Sequence, residues 1–162
     1  MSDPQRIVVL TRAGLGDAVY VIPALRALRQ RFPEAHITVI TGKRGYPLLQ
    51  RCPYLNALHL RHLGNGLLGK LREIVRLRRG RYDLAVILDN SDEKALHTFL
   101  AGIPRRVGGV KRYFARLLTD PVPVEPDAHR INDINRAVVA RLGCDIADWR
   151  LELARRASAG GN

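Results

Sequence analysis

The chain has 162 residues, 46% of them hydrophobic, which is one domain's worth of chain with enough apolar material for a packed core. With that composition, disorder is not the default reading. The formal charge of +12, from 27 Lys and Arg against 15 Asp and Glu, points to an anionic partner such as nucleic acid, phosphorylated saccharide or an acidic membrane surface.

The polar start Met1–Gln5 leads straight into a strand pattern, so no signal peptide is expected. Arg6 to Thr11 is a β-branched run of the kind buried on both faces of a parallel sheet. The turn Arg12 to Asp17 follows, loosened by Gly14 and Gly16. A helix then runs to about Arg31, with Val21, Leu25, Leu28 and Phe32 at core spacing and Pro23 predicting a kink or a late start. His36 to Thr41 is the second strand. Tyr46 to Arg51 reads as a short helix, and Ala57 to Leu60 as a third strand. Leu67, Leu68, Leu71, Ile74 and Val75 stripe a basic helix that ends at Gly80. Asp83 to Leu88 is a fourth strand, Lys94 to Ala101 a helix, and Arg105 to Gly108 a short fifth strand. A Pro-rich crossing, Pro121 to Pro126, precedes a last helix carrying Ile131, Ile134, Val138 and Leu142 and stopped by Gly143. The tail from Ala154 is expected to be disordered. No apolar run approaches the ~18 residues of a membrane span.

Strands alternating with helices of this length predict a Rossmann-like α/β fold, a right-handed parallel sheet with flanking helices over residues 1–153. Ligands of such sheets sit at the carboxyl ends of the strands, at a topological switch point. The loop after the first strand, Gly14-Leu15-Gly16-Asp17-Ala18-Val19, departs from a dinucleotide fingerprint. Val19 replaces the third glycine, and the second strand ends Thr41-Gly42-Lys43, without the acid that holds a ribose. A carboxylate at that helix N-terminus repels a pyrophosphate, so Asp17 reads either as a helix cap or as a positioned general base.

The order of pieces resembles a known family. Arg6 through Val19, then Ile22-Pro23-Ala24-Leu25-Arg26-Ala27-Leu28-Arg29 and Phe32-Pro33, is similar to the opening of the lipopolysaccharide heptosyltransferases, glycosyltransferase family 9. Pro47-Leu48-Leu49, Pro53-Tyr54, Arg81 to Val86, Gly102 to Gly108, and His129 leading to Leu142-Gly143 follow in register, so that the similarity covers Arg6 to Asp145. The resemblance implies the N-terminal, acceptor-side lobe of a two-lobed GT-B glycosyltransferase that inverts configuration without a metal. It assigns the role of base to Asp17. It also implies that the nucleotide-sugar donor belongs to a C-terminal lobe, which is expected to be absent from this chain, and that no cofactor binds here. Two departures bear on the acceptor: Ala13-Gly14 stands where the family often carries hydroxyl residues, and Asn90-Ser91 where it commonly has Gln-Gly.

Acceptor-binding residues are expected at Arg12, Gly14, Gly16, Lys43, Arg61, Lys94, Lys111 and Arg112, which lie in or beside loops at the strand ends. Arginine grips phosphate or carboxylate bidentately and lysine acts as a point charge, which suits an anionic saccharide or glycolipid, or the inner leaflet of the plasma membrane. Arg72, Arg76 and Arg79 read as a solvated helix face. His59 and His62 have no third ligand near them; Asp89, Asp92 and Glu93 cluster after the fourth strand, where Asp92 and Glu93 suit a helix N-terminus better than a cation site. Trp149 is expected in the core or at a lobe interface. Cys52 and Cys144 match no metal or redox spacing and read as reduced thiols of a cytoplasmic protein. With aromatics at 6% and no basic-aromatic strand motif, nucleic acid is disfavoured as a partner. The other reading left open is a non-catalytic single lobe that binds a saccharide or a second chain. Catalysis needs donor and acceptor held together, and one lobe cannot hold both.

Overall fold

The computed structural model describes residues 2–12, 14–61, 66–110, 113–123 and 131–151. Strand β1, Arg6–Leu10, is the middle of the sheet because every residue after Arg6 is apolar enough to be buried on either face. Ile7 and Val9 point into one cluster, and Val8 and Leu10 into the other. On one side β1 pairs with β2, His36–Thr41, which pairs with β3, Ala57–Leu60. On the other it pairs with β4, Leu84–Ile87, followed outward by β5, Arg105–Val110, and β6, Asp120–Pro123. All these pairings are parallel, in the order β3-β2-β1-β4-β5-β6.

Helices cover both faces. On one side lie α1, Leu15–Arg31, and α5, Ile131–Arg141, which pack against each other. Val21, Ile22, Leu25 and Leu28 from α1 meet Ile134 and Val138 from α5 over Ile7, Val9, Ile37 and Val39. The short α2, Tyr46–Leu49, adds Leu49 to this cluster, and Trp149 packs against it with its indole N–H donating to Asn132 Oδ1 at 2.7 Å. On the opposite side α3, Leu67–Arg79, and α4, Asp92–Leu100, bring Leu77 and Ala95 onto Val8, Leu10, Ile40 and Ile87.

Two elements differ from expectation. Helix α1 begins at Leu15 and passes through Pro23 without a late start. The proline removes the donor that would bond the Val19 carbonyl, but the residues around it, Ile22, Ala24 and Leu25, are almost wholly buried and hold the helix to the sheet. The Pro-rich crossing contains a real strand, β6. It forms because β6 is an edge strand of the sheet, where Pro121 and Pro123 can lack ladder donors at little cost. A single 3-10 turn, Ala115–Leu117, leads into it. Residues from Ala154 onward, expected to be disordered, lie outside the described residues.

Candidate functional site at the switch point

The chain leaves β1 towards β2 and β3, and returns through α3 to build β4, β5 and β6 on the other side. The loops after β1 and β4 therefore diverge to opposite faces and open a crevice between them. Side chains from these two loops, and from those after β2 and β3, define the site.

Thr11, directly after β1, is buried, and its hydroxyl donates to Thr41 Oγ1 at 3.0 Å at the end of β2. Arg12 reaches across the switch point, where Nη2 donates to Asn90 Oδ1 at 3.1 Å. Beneath that bridge lies a buried ion pair. Lys94 Nζ donates to the Thr11 carbonyl oxygen at 2.8 Å and to Asp89 Oδ2. Asp89 Oδ1 accepts from the Ser91 N–H at 2.9 Å, and Ser91 caps α4 by accepting from the Lys94 N–H at 3.4 Å. Lys94 is thus placed unlike the exposed loop cations, with its ammonium held between two loops. Burial pulls its pKa below the usual lysine value, and the Asp89 carboxylate opposes that shift. The sequence offered Asp89 only as part of an acidic cluster. Asp92 and Glu93 do start α4 as expected, but Asp89 belongs to this internal pair.

Asp17 lies in the first turn of α1, at the positive end of the helix dipole. Gly14 is the N-cap residue, in extended conformation with φ −75° and ψ 152°, and no side chain caps this end of the helix. Among the described residues none bonds the Asp17 carboxylate, so it does not act as a hydrogen-bonding cap. The carboxylate folds back over Gly14: a Cβ on residue 14 would stand 2.6 Å from Asp17 Oδ2. Gly16 differs, since a Cβ there would meet no atom within 4 Å. The result is a half-exposed carboxylate beside a bare stretch of backbone, at the mouth of the crevice.

Lys43 is exposed in the turn after β2. Arg61 follows β3; its N–H donates to the Thr41 carbonyl oxygen at 2.8 Å, and its guanidinium lies 3.5 Å from Glu93 on α4. Arg12, Gly14, Gly16, Asp17, Lys43, Arg61 and Lys94 thus share the carboxyl end of the sheet. Lys111 and Arg112 lie outside the described residues.

Behind Arg61 and Lys94 is a cavity of about 10 Å³ that sequence reasoning missed, lined also by Thr11, Glu73, Leu77 and His97. Glu73 is 5% exposed, and among the described residues its Oε2 has no hydrogen-bond partner, with Arg76 only at 4.0 Å. Burial lowers the His97 pKa against the pull of Glu93, and Arg61 and Lys70 lower it further. An acid inside a basic helix gives no sequence signal that it faces inward; only the helix phase does.

Among the described residues no three His, Cys, Asp or Glu side chains cluster as metal ligands. His62, the partner considered for His59, is outside them. Cys52 and Cys144 are buried, and burial pushes the Cys144 thiol up to about 11. No helix among the described residues is long and apolar enough to cross a membrane.

A doubly wound sheet in this strand order, with its polar loops gathered at one switch point, is the N-terminal lobe of a two-lobed GT-B glycosyltransferase fold. A glycosyltransferase of family 9 from Veillonella parvula superposes with a TM-score of 0.75 over 92% of this chain and 44% of its own, at 20% identity, a likeness of fold. The ADP-heptose heptosyltransferase II of Escherichia coli superposes with a TM-score of 0.62 over 80% of this chain and 40% of its own, at 30% identity. In sequence, lipopolysaccharide heptosyltransferase 2 of Escherichia coli is 39% identical over 113 residues, which is 67% of this chain and 32% of that protein. Over two thirds or more of its length the chain is similar to the lipopolysaccharide heptosyltransferases. It spans about a third of the length of the curated relatives it matches. No family model matches the sequence.

Proposed function

We propose that this chain is the acceptor-side lobe, residues 1–153, of a glycosyltransferase that moves a sugar from a nucleotide-sugar onto a lipopolysaccharide-core-like saccharide with inversion. Asp17 is the general base that takes the proton from the acceptor hydroxyl. Arg12, Lys43 and Arg61, with Lys111 and Arg112, hold the anionic groups of the acceptor, the bare backbone at Gly16 lets the sugar approach, and Gly14 leaves room for the Asp17 carboxylate. A donor-binding lobe supplies the nucleotide-sugar from across the crevice, and the acceptor is met at the cytoplasmic surface of the membrane. Sequence kinship with heptosyltransferase 2 supports this reading.

The observation that carries it is the state of Asp17, a carboxylate at a helix N-terminus in the switch-point crevice that no described residue bonds. A base must be ionised, reachable and free to accept a proton. In the enzyme completed with its donor-binding lobe, Asp17→Asn lowers kcat by roughly 10²–10⁴ and leaves acceptor KM nearly unchanged. Because the carboxylate makes no capping bond, the variant also keeps the stability of the parent to within about 0.5 kcal/mol. Steady-state kinetics beside urea unfolding reads both. Near-normal turnover in Asp17→Asn removes Asp17 as the base.

A further inference from the structure

Helix α3 leaves an apolar stripe uncovered. Its inward face is the row Gly69, Glu73 and Leu77, spaced four apart and buried. A second row, Leu67, Leu71 and Val75, runs along the outside with Leu68 beside it, and these residues are 73%, 47%, 45% and 71% exposed in that order. At 3.6 residues per turn the four fall within an arc of about 100°. Four large apolar side chains on one arc form a patch, unlike leucines scattered singly over a surface. Leu68, Leu71 and Val75, with Arg72, Arg76 and Arg79, line an open groove of about 400 Å³.

The charge around the stripe has one sign. Between Leu67 and Arg79 the helix carries Lys70, Arg72, Arg76, Arg78 and Arg79, and its one acid, Glu73, is turned inward. Two copies of the chain meeting face to face on this stripe would set arginine against arginine, and like charges brought together oppose association. An anionic lipid surface satisfies both features, taking the leucines into its headgroup–acyl boundary and the guanidinium groups onto its phosphates. Location agrees with this. Helix α3 follows β3, so its N-terminal end, with Leu67, Leu68 and Leu71, stands at the carboxyl end of the sheet beside the switch-point loops. Arg76 Nη1 donates to the Leu60 carbonyl oxygen at 2.7 Å and pins the helix to the end of β3.

We propose that α3 is an interfacial helix: Leu67, Leu68, Leu71 and Val75 insert into an anionic bilayer surface, flanked by Arg72 and Arg79 bound to lipid phosphates. This deepens the membrane contact within the function proposed above, and its test is independent of sugar transfer.

The purified chain is sedimented with vesicles of phosphatidylcholine and of an equimolar phosphatidylglycerol–phosphatidylcholine mixture. Strong binding is expected only to the anionic vesicles. Leu67→Ser/Leu71→Ser weakens it by roughly tenfold or more through lost apolar burial. Arg72→Gln/Arg79→Gln weakens it by about 25-fold, at roughly fivefold for each cation near the surface. The control Arg51→Gln/Arg141→Gln removes equal charge from exposed positions on the α1 side of the sheet and changes binding far less. All substituted positions are exposed, so far-UV circular dichroism and the thermal midpoint stay those of the parent. A Leu71→Trp variant gains blue-shifted emission with anionic vesicles, which the parent's Trp149 does not show. Equal loss in both arginine pairs with no blue shift at position 71 means adsorption by net charge and overturns the proposal. So does failure to bind either vesicle, whether the stripe then drives self-association, seen as a dimer abolished by Leu71→Ser, or captures an acidic protein.

Discussion

At Gly16 the preference of the helix and the use of the site diverge. It is the second residue of α1, where alanine is the better helix former by up to about 1 kcal/mol, and nothing lies within 4 Å of the Cβ that alanine would add. Packing therefore does not demand a glycine there. Gly14 is the opposite case, because a Cβ would stand 2.6 Å from Asp17 Oδ2 and push the carboxylate aside. The two positions make a paired prediction. Gly16→Ala raises stability by roughly 0.5–1 kcal/mol in urea unfolding and raises the acceptor KM several-fold, because a methyl group now covers the approach. Gly14→Ala leaves KM close to the parent's but lowers kcat, because its methyl displaces the Asp17 carboxylate proposed as the base. Unchanged KM in Gly16→Ala would show that the saccharide does not pass over that backbone. The Gly-Asp order made Asp17 legible in the sequence as a cap or a base. The need for Gly14 was not legible, since it arises from a side chain three residues later folding back over it. Glu73 was hidden for a similar reason: in a run rich in arginine, its inward phase shows only once the helix is docked.

The elements around the site are stitched together by Lys94, and here sequence and structure part most. A lysine after a run of polar residues at a strand end reads as an exposed cation. It is buried because Asp89 sits five residues earlier, at the end of β4, and pairing makes the burial tolerable. The pair joins the end of β1, the β4–α4 loop and the first turn of α4 in one bonded unit. Removing one partner leaves an uncompensated buried charge, so Lys94→Met destabilises by about 3–5 kcal/mol. Removing both charges, in Lys94→Met/Asp89→Asn, costs less, about 1–2 kcal/mol, because asparagine still accepts from the Ser91 N–H. Equilibrium unfolding of the two singles and the double gives the coupling directly, and a double mutant no more stable than Lys94→Met would mean that the charges are not paired in solution. Elsewhere the elements were readable to within a few residues. The buried strands β1, β2 and β4 announce themselves as β-branched runs, while β6 hides behind two prolines whose missing donors matter only if the strand has a neighbour on each side.

On the scale of the whole molecule, the two hydrophobic clusters lie on opposite faces of one sheet and share its strands residue by residue. Ile7 and Val9 belong to the cluster under α1 and α5, Val8 and Leu10 to the cluster under α3 and α4. Neither layer of helices can leave without exposing alternate residues of the same strands, so the two clusters should melt as one. Leu28, 0% exposed in α1, and Leu77, 1% exposed in α3, probe the two faces. Truncating either to alanine removes buried methyl groups and leaves a cavity, which costs about 2–5 kcal/mol. In a chain of this length that lowers the thermal midpoint by roughly 2–4 °C per kcal/mol. The expected outcome is that Leu28→Ala and Leu77→Ala each shift a single calorimetric transition, and that the double mutant shifts the same transition by about the sum, since the sites lie on opposite faces and share no partner. A transition that splits, with Leu77→Ala lowering only the earlier step, would show that α3 and α4 release independently of α1 and α5. That outcome would matter for function, because Arg12 and Asn90 bridge loops that feed helices on opposite faces. If the faces part, the crevice holding Asp17 parts with them, and the geometry of the site is lost before the sheet melts.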